Sequence, residues 1–135
     1  MKKLLSAYLK SIASTTMQGD AREESYYDSL KDLFTDFPLD KGRKTKVTIL
    51  PKQTEAGNPD FRVWDGDHFI VGYIEAKLPG TNLDQIETTE QLQRYLTTFP
   101  NLILTDFYEF RLYRDGQEIE RAVIEIGRAS CRERV

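Results

Sequence analysis

The segment from Phe69 to Lys77 most constrains how this chain can fold, because it is a long apolar strand pattern that ends in a charged pair. Side chains two apart in a strand point to the same face of a sheet, so Tyr73, Glu75 and Lys77 share one face. An acid and a base on an otherwise hydrophobic strand are costly to bury unless they meet a partner, solvent or a metal ion. The sequence therefore predicts a sheet with a polar site at the end of this strand.

The preceding strand pattern, Pro59 to Trp64, contributes a second acid to this site. The turn signal Asp65-Gly66-Asp67 separates the two patterns and predicts a hairpin, which brings Asp60 back near Glu75. Two carboxylates and the Lys77 ammonium then surround one point. This grouping suits metal-assisted phosphodiester hydrolysis, because carboxylates hold a divalent cation and a lysine orients the nucleophile or stabilises developing negative charge.

Hydrophobic periodicity predicts a single mixed domain over residues 1–125, with a leading helix within residues 1–19 and no internal repeat or linker. The predicted order is α-α-β-β-β-α-β-β-β. Helices are predicted over residues 1–15 and 21–37 and from Leu83 to near Phe99-Pro100, and Pro38 is predicted to stop the second. Strands are predicted over residues 45–50, 59–64, 69–77, 101–105, 107–113 and 118–124.

Composition excludes several classes of protein. The 135 residues carry 19 Lys and Arg against 22 Asp and Glu, a net charge of -3, which argues against general electrostatic attraction to nucleic acid but allows a local basic patch. No apolar run approaches the ~20 residues of a membrane span and no signal peptide is recognisable, so we expect a soluble cytoplasmic protein without a membrane partner. One cysteine and one histidine exclude a disulfide scaffold and a zinc finger, which leaves carboxylate sites for hard cations such as magnesium.

The last ten residues, Ile126 to Val135, resemble the translation of a short-read sequencing adapter. They follow a strand-like run abruptly and contain the only cysteine, Cys131. We interpret them as an adapter-derived artefact outside the natural protein, which would then continue beyond this chain. The alternative is an ordinary basic tail.

Four motifs occur in order along the chain: Gly57-Asn58-Pro59-Asp60-Phe61, Tyr73-Ile74-Glu75-Ala76-Lys77, Glu90-Gln91-Leu92-Gln93-Arg94-Tyr95 and Phe99-Pro100-Asn101-Leu102-Ile103-Leu104-Thr105. Pro59-Asp60 followed by Glu75-Ala76-Lys77 resembles the signature of the PD-(D/E)xK nuclease superfamily. The ordered set, from roughly Tyr8 to Ile124, is similar to the N-terminal endonuclease domain of type IIG and type ISP restriction-modification enzymes. The resemblance implies an α/β fold with a mixed sheet, a restriction-endonuclease-like core α-β-β-β-α-β and an extra C-terminal hairpin.

The same resemblance implies a Mg²⁺-dependent endonuclease domain that hydrolyses double-stranded DNA, with Mn²⁺ as a substitute. Asp60 and Glu75 would bind the metal, and Lys77 would act at the nucleophilic water. In that family a helical connector, an N6-adenine methyltransferase that uses S-adenosylmethionine and a target-recognition domain follow in cis. This chain contains none of them, and it lacks the Asn/Asp-Pro-Pro-aromatic motif that holds a flipped adenine.

Helical phase indicates a third acid. Glu23 shares a stripe with Tyr27 and other apolar residues, while Glu24 lies on the polar side of the second predicted helix. By resemblance, the acid of the family's first helix also falls on Glu23, where it would help hold the metal or a metal-bound water. The alternative is an acid favoured by the dipole of the helix N-terminus.

Gln91 and Tyr95 lie four residues apart on the third predicted helix, and both are predicted to face inward. They resemble the Gln-x-x-x-Tyr element beside the active site of several nucleases of the superfamily, which implies that Gln91 supports the site and Tyr95 contacts the DNA backbone. An ordinary half-buried aromatic is the alternative for Tyr95. Lys44 and Lys46 are candidate phosphate contacts, and a solvated basic loop is the alternative there.

Two other functions stay open at this stage. One is a non-catalytic module that keeps the nuclease fold for contact with DNA or protein. The other is a fragment of a protein that acts mainly as a site-specific adenine DNA methyltransferase.

Overall fold

The computed structural model describes residues 2–125 and 130–133, with side chains described for residues 2–124. The helical elements are α1 (Lys2–Met17), a 3-10 turn (Glu23–Tyr26), α2 (Tyr27–Asp40), α3 (Leu83–Glu87) and α4 (Glu90–Thr98). The strands are β1 (Lys46–Ile49), β2 (Phe61–Trp64), β3 (Ile70–Ala76), β4 (Asn101–Thr105), β5 (Glu109–Arg114), β6 (Gln117–Glu125) and β7 (Ser130–Glu133). This succession confirms the predicted order of elements as far as β6.

The described strands form one sheet in the order β1-β2-β3-β4-β5-β6-β7. Strands β3 and β4 are parallel, and the other neighbouring pairs are antiparallel. A parallel pair needs a crossover connection, and α3 with α4 provides it. Gly72 permits the close approach of β4, because a Cβ there would lie 2.8 Å from the Asn101 carbonyl oxygen. The mixed sheet confirms the α/β fold class and the restriction-endonuclease-like core, and β5 with β6 forms the predicted C-terminal hairpin.

The two faces of the sheet carry separate hydrophobic cores. Helices α1 and α2 cover one face, where the Tyr8 hydroxyl donates a hydrogen bond to the Phe107 carbonyl at 2.7 Å. The buried residues of this core include Leu5, Leu9, Ile12, Tyr27, Leu30, Val47, Phe61 and Ile74. Helix α4 covers the β4–β5 half of the other face, with a core that includes Leu92, Tyr95, Phe99, Leu102, Leu104 and Tyr113. The second face is thus covered over part of its width.

Pro38 does not stop α2, contrary to our prediction, and the helix continues to Asp40. Proline lacks the N–H that would bond to the carbonyl of Phe34 four residues earlier. The hydroxyl of Thr45 donates to that carbonyl at 2.7 Å instead. The Phe34 carbonyl therefore stays satisfied, and the prediction failed because its partner comes from a later part of the chain.

The third predicted helix is divided into α3 and α4. The Thr89 hydroxyl accepts a hydrogen bond from the backbone N–H of Leu92 and caps a new helix start. Strand β5 also begins two residues later than predicted, because Phe107 has a φ of 76°, outside the range of an extended strand. These changes move element boundaries without changing the order of elements.

Of residues 126–135, which we interpret as adapter-derived, the structure describes only Ser130–Glu133, and this segment pairs with β6 as strand β7. Residues 126–129 and 134–135 lie outside the described residues. None of the helices in the described part of the chain is long and apolar enough to cross a membrane.

Candidate active site

The β2–β3 hairpin brings Asp60 and Glu75 together, as the turn signal predicted. Phe61 pairs with Ile74, so Asp60, just before β2, lies opposite the end of β3. The backbone N–H of Ala76 donates to Asp60 Oδ2 at 2.8 Å, which fixes one oxygen of this carboxylate. The backbone N–H of Leu50 donates to the Asp60 carbonyl at 2.8 Å and ties β1 to the same point.

Lys77 compensates one oxygen of Glu75 and leaves the other unpaired. Lys77 Nζ lies 3.3 Å from Glu75 Oε2, and the Glu75 side chain is only 6% exposed. Glu75 Oε1 is buried and has no hydrogen-bond partner. The backbone N–H of Lys77 donates to the Thr105 carbonyl at 2.8 Å, so β4 holds the end of β3 in place.

The electrostatics of the carboxylate pair follow from its burial. Burial, followed by the charge of Asp60, raises the pKa of Glu75, Lys77 lowers it, and the net result is a pKa of about 8. Two nearby carboxylates with little solvent cannot both be ionised without cost. The pair is therefore a place where an added positive charge is stabilised.

The donor set fits a hard divalent cation. Carboxylate oxygens are the ligands that Mg²⁺ and Mn²⁺ prefer, and Glu75 Oε1 is an unused oxygen of this kind. Within the described residues, no group of three or more His, Cys, Asp and Glu side chains is close enough to hold a metal ion. The described chain thus brings two carboxylates together here, Asp60 and Glu75.

Glu23 lies near this pair without joining it in one ligand group. It is half-buried on the 3-10 turn, whereas Glu24 is exposed, as helical phase predicted. Burial raises the pKa of the buried Tyr27, the Asp60 carboxylate raises it further, and Glu23 and Glu75 add smaller effects. The charge of Glu23 therefore acts on Tyr27, and the role of Glu23 as a metal ligand stays a prediction.

Tyr27 is a site residue that the sequence analysis assigned only to the buried stripe of a helix. Its electrostatic coupling to Asp60 places its hydroxyl near the candidate site. The available signal was its spacing of four residues from Glu23.

Tyr95 is fully buried in this structure, and its contact with the DNA backbone stays a prediction. Burial, followed by the charges of Glu75 and Asp60, raises the pKa of Tyr95 to about 12. Smaller opposing effects come from the charge of Arg94 and then from the backbone N–H of Asn58, which does not reach hydrogen-bonding geometry with the Tyr95 hydroxyl. The residue is near the site but shielded from solvent.

Tyr95 supports the loop that delivers Asp60. The Thr54 hydroxyl donates to the Gly57 carbonyl at 2.8 Å, and Gly57 has a φ of 131°, which side-chain-bearing residues rarely adopt. A Cβ at Gly57 would lie 3.4 Å from the Tyr95 ring, so loop and ring are in close contact. Tyr95 is thus placed to position the residues before β2.

Gln91 is exposed, so the predicted inward orientation of its amide is wrong. The buried side of α4 runs through Leu92, Tyr95 and Phe99. Gln91 lies one residue, or about 100° around the helix, from Leu92. Tertiary packing of α4 selected this stripe, and the supporting role of Gln91 stays a prediction.

Lys44 and Lys46 are both exposed. Lys46 pairs with Trp64, four residues along β2 from Asp60, which is about 13 Å at the rise of a strand. The two lysines therefore lie away from the carboxylate pair, and their contact with phosphate stays a prediction.

No protein-family model matches this sequence, and no curated protein matches it. Among solved structures, the chain is similar to the one described as a cryo-EM structure of a DrdV–DNA complex, with a TM-score of 0.69 and 23% sequence identity. The similarity covers 90% of this chain and 12% of that chain, so this chain spans a small part of the length of its neighbour. At this level of identity the likeness shows a shared fold.

Proposed function

We propose that this chain is a Mg²⁺-dependent nuclease domain that hydrolyses phosphodiester bonds in double-stranded DNA. The observation that carries the proposal is the Asp60, Glu75 and Lys77 group, in which a buried carboxyl oxygen lacks a partner and two acidic side chains lie close together. The fold is shared with a protein solved in complex with DNA, which supports DNA as the substrate.

Each residue of the group has a defined part in this reaction. Asp60 and Glu75 would hold Mg²⁺, which when bound polarises a phosphate and lowers the pKa of a coordinated water. The Ala76 amide orients Asp60, so one of its oxygens is fixed before substrate arrives. Lys77, 3.3 Å from Glu75, would orient the attacking water and stabilise negative charge on the phosphate. Glu23 and the exposed Gln91 would complete the surroundings of the water.

The raised pKa of Glu75 links metal binding to proton release. A carboxyl with a pKa of about 8 is protonated in a large share of molecules at neutral pH. Since a metal ligand must be deprotonated, cation binding displaces that proton. The affinity for Mg²⁺ is therefore expected to rise with pH up to about the pKa of Glu75.

We further propose that the domain belongs to a restriction-modification enzyme. The neighbour that shares the fold is much longer than this chain, and the sequence motifs are similar to those of type IIG and type ISP enzymes. Target recognition and adenine methylation with S-adenosylmethionine would then reside in other domains in cis.

Calorimetric titration of Mn²⁺ tests the metal site. The wild-type chain is expected to bind Mn²⁺, and Asp60→Asn and Glu75→Gln, which keep side-chain shape, are expected to lose that binding. Asp67→Asn removes an exposed acid from the hairpin turn and serves as the matched control. A folded wild-type chain that binds DNA but no Mn²⁺ would support the non-catalytic module instead.

Cleavage of supercoiled plasmid DNA in Mn²⁺ tests the role of Lys77. Lys77→Met is expected to keep Mn²⁺ binding and to lower the cleavage rate by about 10²-fold or more, the usual effect of removing one charge-stabilising group. Unchanged cleavage by a folded Lys77→Met variant would remove this residue from the mechanism.

A further inference from the structure

Arg62 lies on the same face of the sheet as the candidate active site. It is two residues after Asp60 on β2 and pairs with Tyr73, which is two residues before Glu75 on β3. Because side chains two apart share a face, Arg62 follows the carboxylate pair in the direction of the hairpin tip.

Aromatic rings hold the Arg62 guanidinium in place. Its Cζ lies 5.5 Å from the centroid of the Tyr73 ring and 5.9 Å from that of the Trp64 ring. The Tyr73 ring stacks on Phe99 at 4.1 Å, and Trp64 Nε1 donates to the Thr48 hydroxyl at 3.2 Å. Both rings are therefore anchored, and the planar cation is ordered before any ligand binds.

The hydrogen-bonding capacity of Arg62 is largely unused. Its Nε is buried without a partner, and Nη2 reaches the Lys52 carbonyl only at 3.5 Å, the outer limit of a hydrogen bond. No ion pair with a carboxylate involves Arg62 among residues 2–124. A guanidinium has five N–H donors in a fork that matches phosphate, so this side chain is prepared for an anion.

The surroundings of Arg62 favour a polyanion as that ligand. Helix α4 packs on the β4–β5 half of this face, and the side chains of Arg62 and Trp64 are half-buried rather than covered. Lys46 on β1 and Lys52 after β1 are exposed cations beside them. The open β1–β2 surface therefore carries positive charge up to the edge of the carboxylate pair.

We propose that Arg62 binds a DNA phosphate adjacent to the one that is hydrolysed and so places the scissile phosphate over Asp60 and Glu75. This inference rests on the proposed nuclease function. Arg62 is a positioning residue in this scheme, because its partner is a neighbouring phosphate rather than the reacting atoms. Its rigid fork fixes the register of the DNA backbone relative to the metal site.

The test is the binding of a fluorescein-labelled DNA duplex in Ca²⁺, measured by anisotropy over a series of salt concentrations. Arg62→Gln is expected to weaken binding about tenfold and to reduce the slope of log affinity against log salt by about 1, the value for one lost phosphate contact. Arg62→Lys should restore the slope and only part of the affinity, because lysine keeps the charge without the fork. The matched control is Arg114→Gln, an exposed arginine on the opposite face that bonds to Asn101.

Two further results separate this inference from the nuclease proposal. Mn²⁺ titration of Arg62→Gln should match the wild type, which would show that the fold and the carboxylate pair are intact. Equal affinity and slope for Arg62→Gln and Arg114→Gln would overturn the role of Arg62, as would a wild-type chain that does not bind the duplex. A loss of slope in Arg62→Gln with no Mn²⁺ binding by the wild type would support the phosphate contact and overturn the nuclease function.

Discussion

Two buried charge clusters lie on one face of the sheet and differ in how their charges are balanced. Leu104 on β4 lies between them in the sheet, because its register partners are Glu75 on β3 and Arg111 on β5. The two clusters are therefore two strands apart. Arg111 is 4% exposed and lies 2.6 Å from Glu109 and 2.9 Å from Asp84. A third carboxylate, that of Glu87, lies 3.1 Å from Arg111 Nη1 and forms an ion pair with it, although the two groups are not aligned for a hydrogen bond. Glu87 also accepts a hydrogen bond from the Tyr113 hydroxyl.

Charge compensation, rather than burial, distinguishes the structural cluster around Arg111 from the candidate site around Glu75. Around Arg111 a cation meets carboxylates from α3 and from β5, which fastens the crossover helix to the sheet. Around Glu75 two carboxyl groups lie close together, a single lysine contacts one of them, and one Glu75 oxygen has no partner. The first cluster balances its charges within the fold, whereas the second leaves a buried carboxylate oxygen unpaired, where we propose that a cation binds.

Removal of Arg111 should have the largest effect on stability. Arg111→Met is expected to lower the free energy of unfolding by about 3 kcal/mol, because it removes the cation that contacts the partly buried Glu87 and the nearest cation to Glu109. Urea unfolding followed by circular dichroism measures the change. Arg114→Met, an exposed arginine on the same strand, should cost less than about 0.5 kcal/mol. Equal losses of stability in the two variants would show that the buried ion pairs of Arg111 stabilise the fold no more than an exposed arginine does.

Glu75→Gln should act in the opposite direction, to a degree set by pH. The pKa of Glu75 is raised from 4.5 to about 8 on folding, so the folded state keeps a proton that the unfolded state has lost. Stability is therefore greatest below the unfolded pKa and falls as pH rises towards the folded pKa, by up to about 1.4 kcal/mol per pH unit. Glutamine does not titrate, so the free energy of unfolding of the variant should rise relative to that of the wild type as the pH increases over this range.

Urea unfolding of both proteins in metal-free buffer from about pH 5 to about pH 8 measures this difference. Saturating Mn²⁺ should reduce the pH dependence of the wild type, since the cation replaces the proton. A stability difference that stays constant with pH would mean that the Glu75 carboxyl titrates normally.

The pair of Arg121 and Glu118, in which both side chains are more exposed than that of Arg111, should contribute least. Its guanidinium contacts both carboxylate oxygens, at 2.6 Å and 3.1 Å, distances as short as those around Arg111. Its side chains are 27% and 31% exposed, so water screens the attraction. Glu118→Gln is expected to cost less than about 0.5 kcal/mol by urea unfolding. A cost like that of Arg111→Met would show that distance rather than burial sets the contribution.

The hairpin that carries the candidate site was readable from sequence because its signals are local. Alternation along Phe69 to Lys77 and the turn at Asp65-Gly66-Asp67 determine which side chains share a face and which strands pair. These local signals predicted that Asp60 lies opposite Glu75, and the register of β2 and β3 confirms this position. The phase of Glu23 against Glu24 was predicted correctly on the same local basis.

Predictions that depended on contacts between distant elements were less successful. Gln91 was placed inward and is exposed, because the docking of α4 chose Leu92 and Tyr95 as its buried side. Pro38 was read as a helix stop, but a hydroxyl from Thr45 satisfies the carbonyl that proline leaves free. Each outcome depends on a partner that periodicity does not reveal.

The sequence by itself determined the order of elements and the grouping of Asp60, Glu75 and Lys77, since the period of a strand and the chemistry of a turn act over a few residues. Only the tertiary structure decided that Tyr95 is sealed from solvent and that Arg62 is held between rings with its donors unused. Burial and charge compensation are set by which helix covers which half of the sheet. That choice is made by packing across the whole molecule.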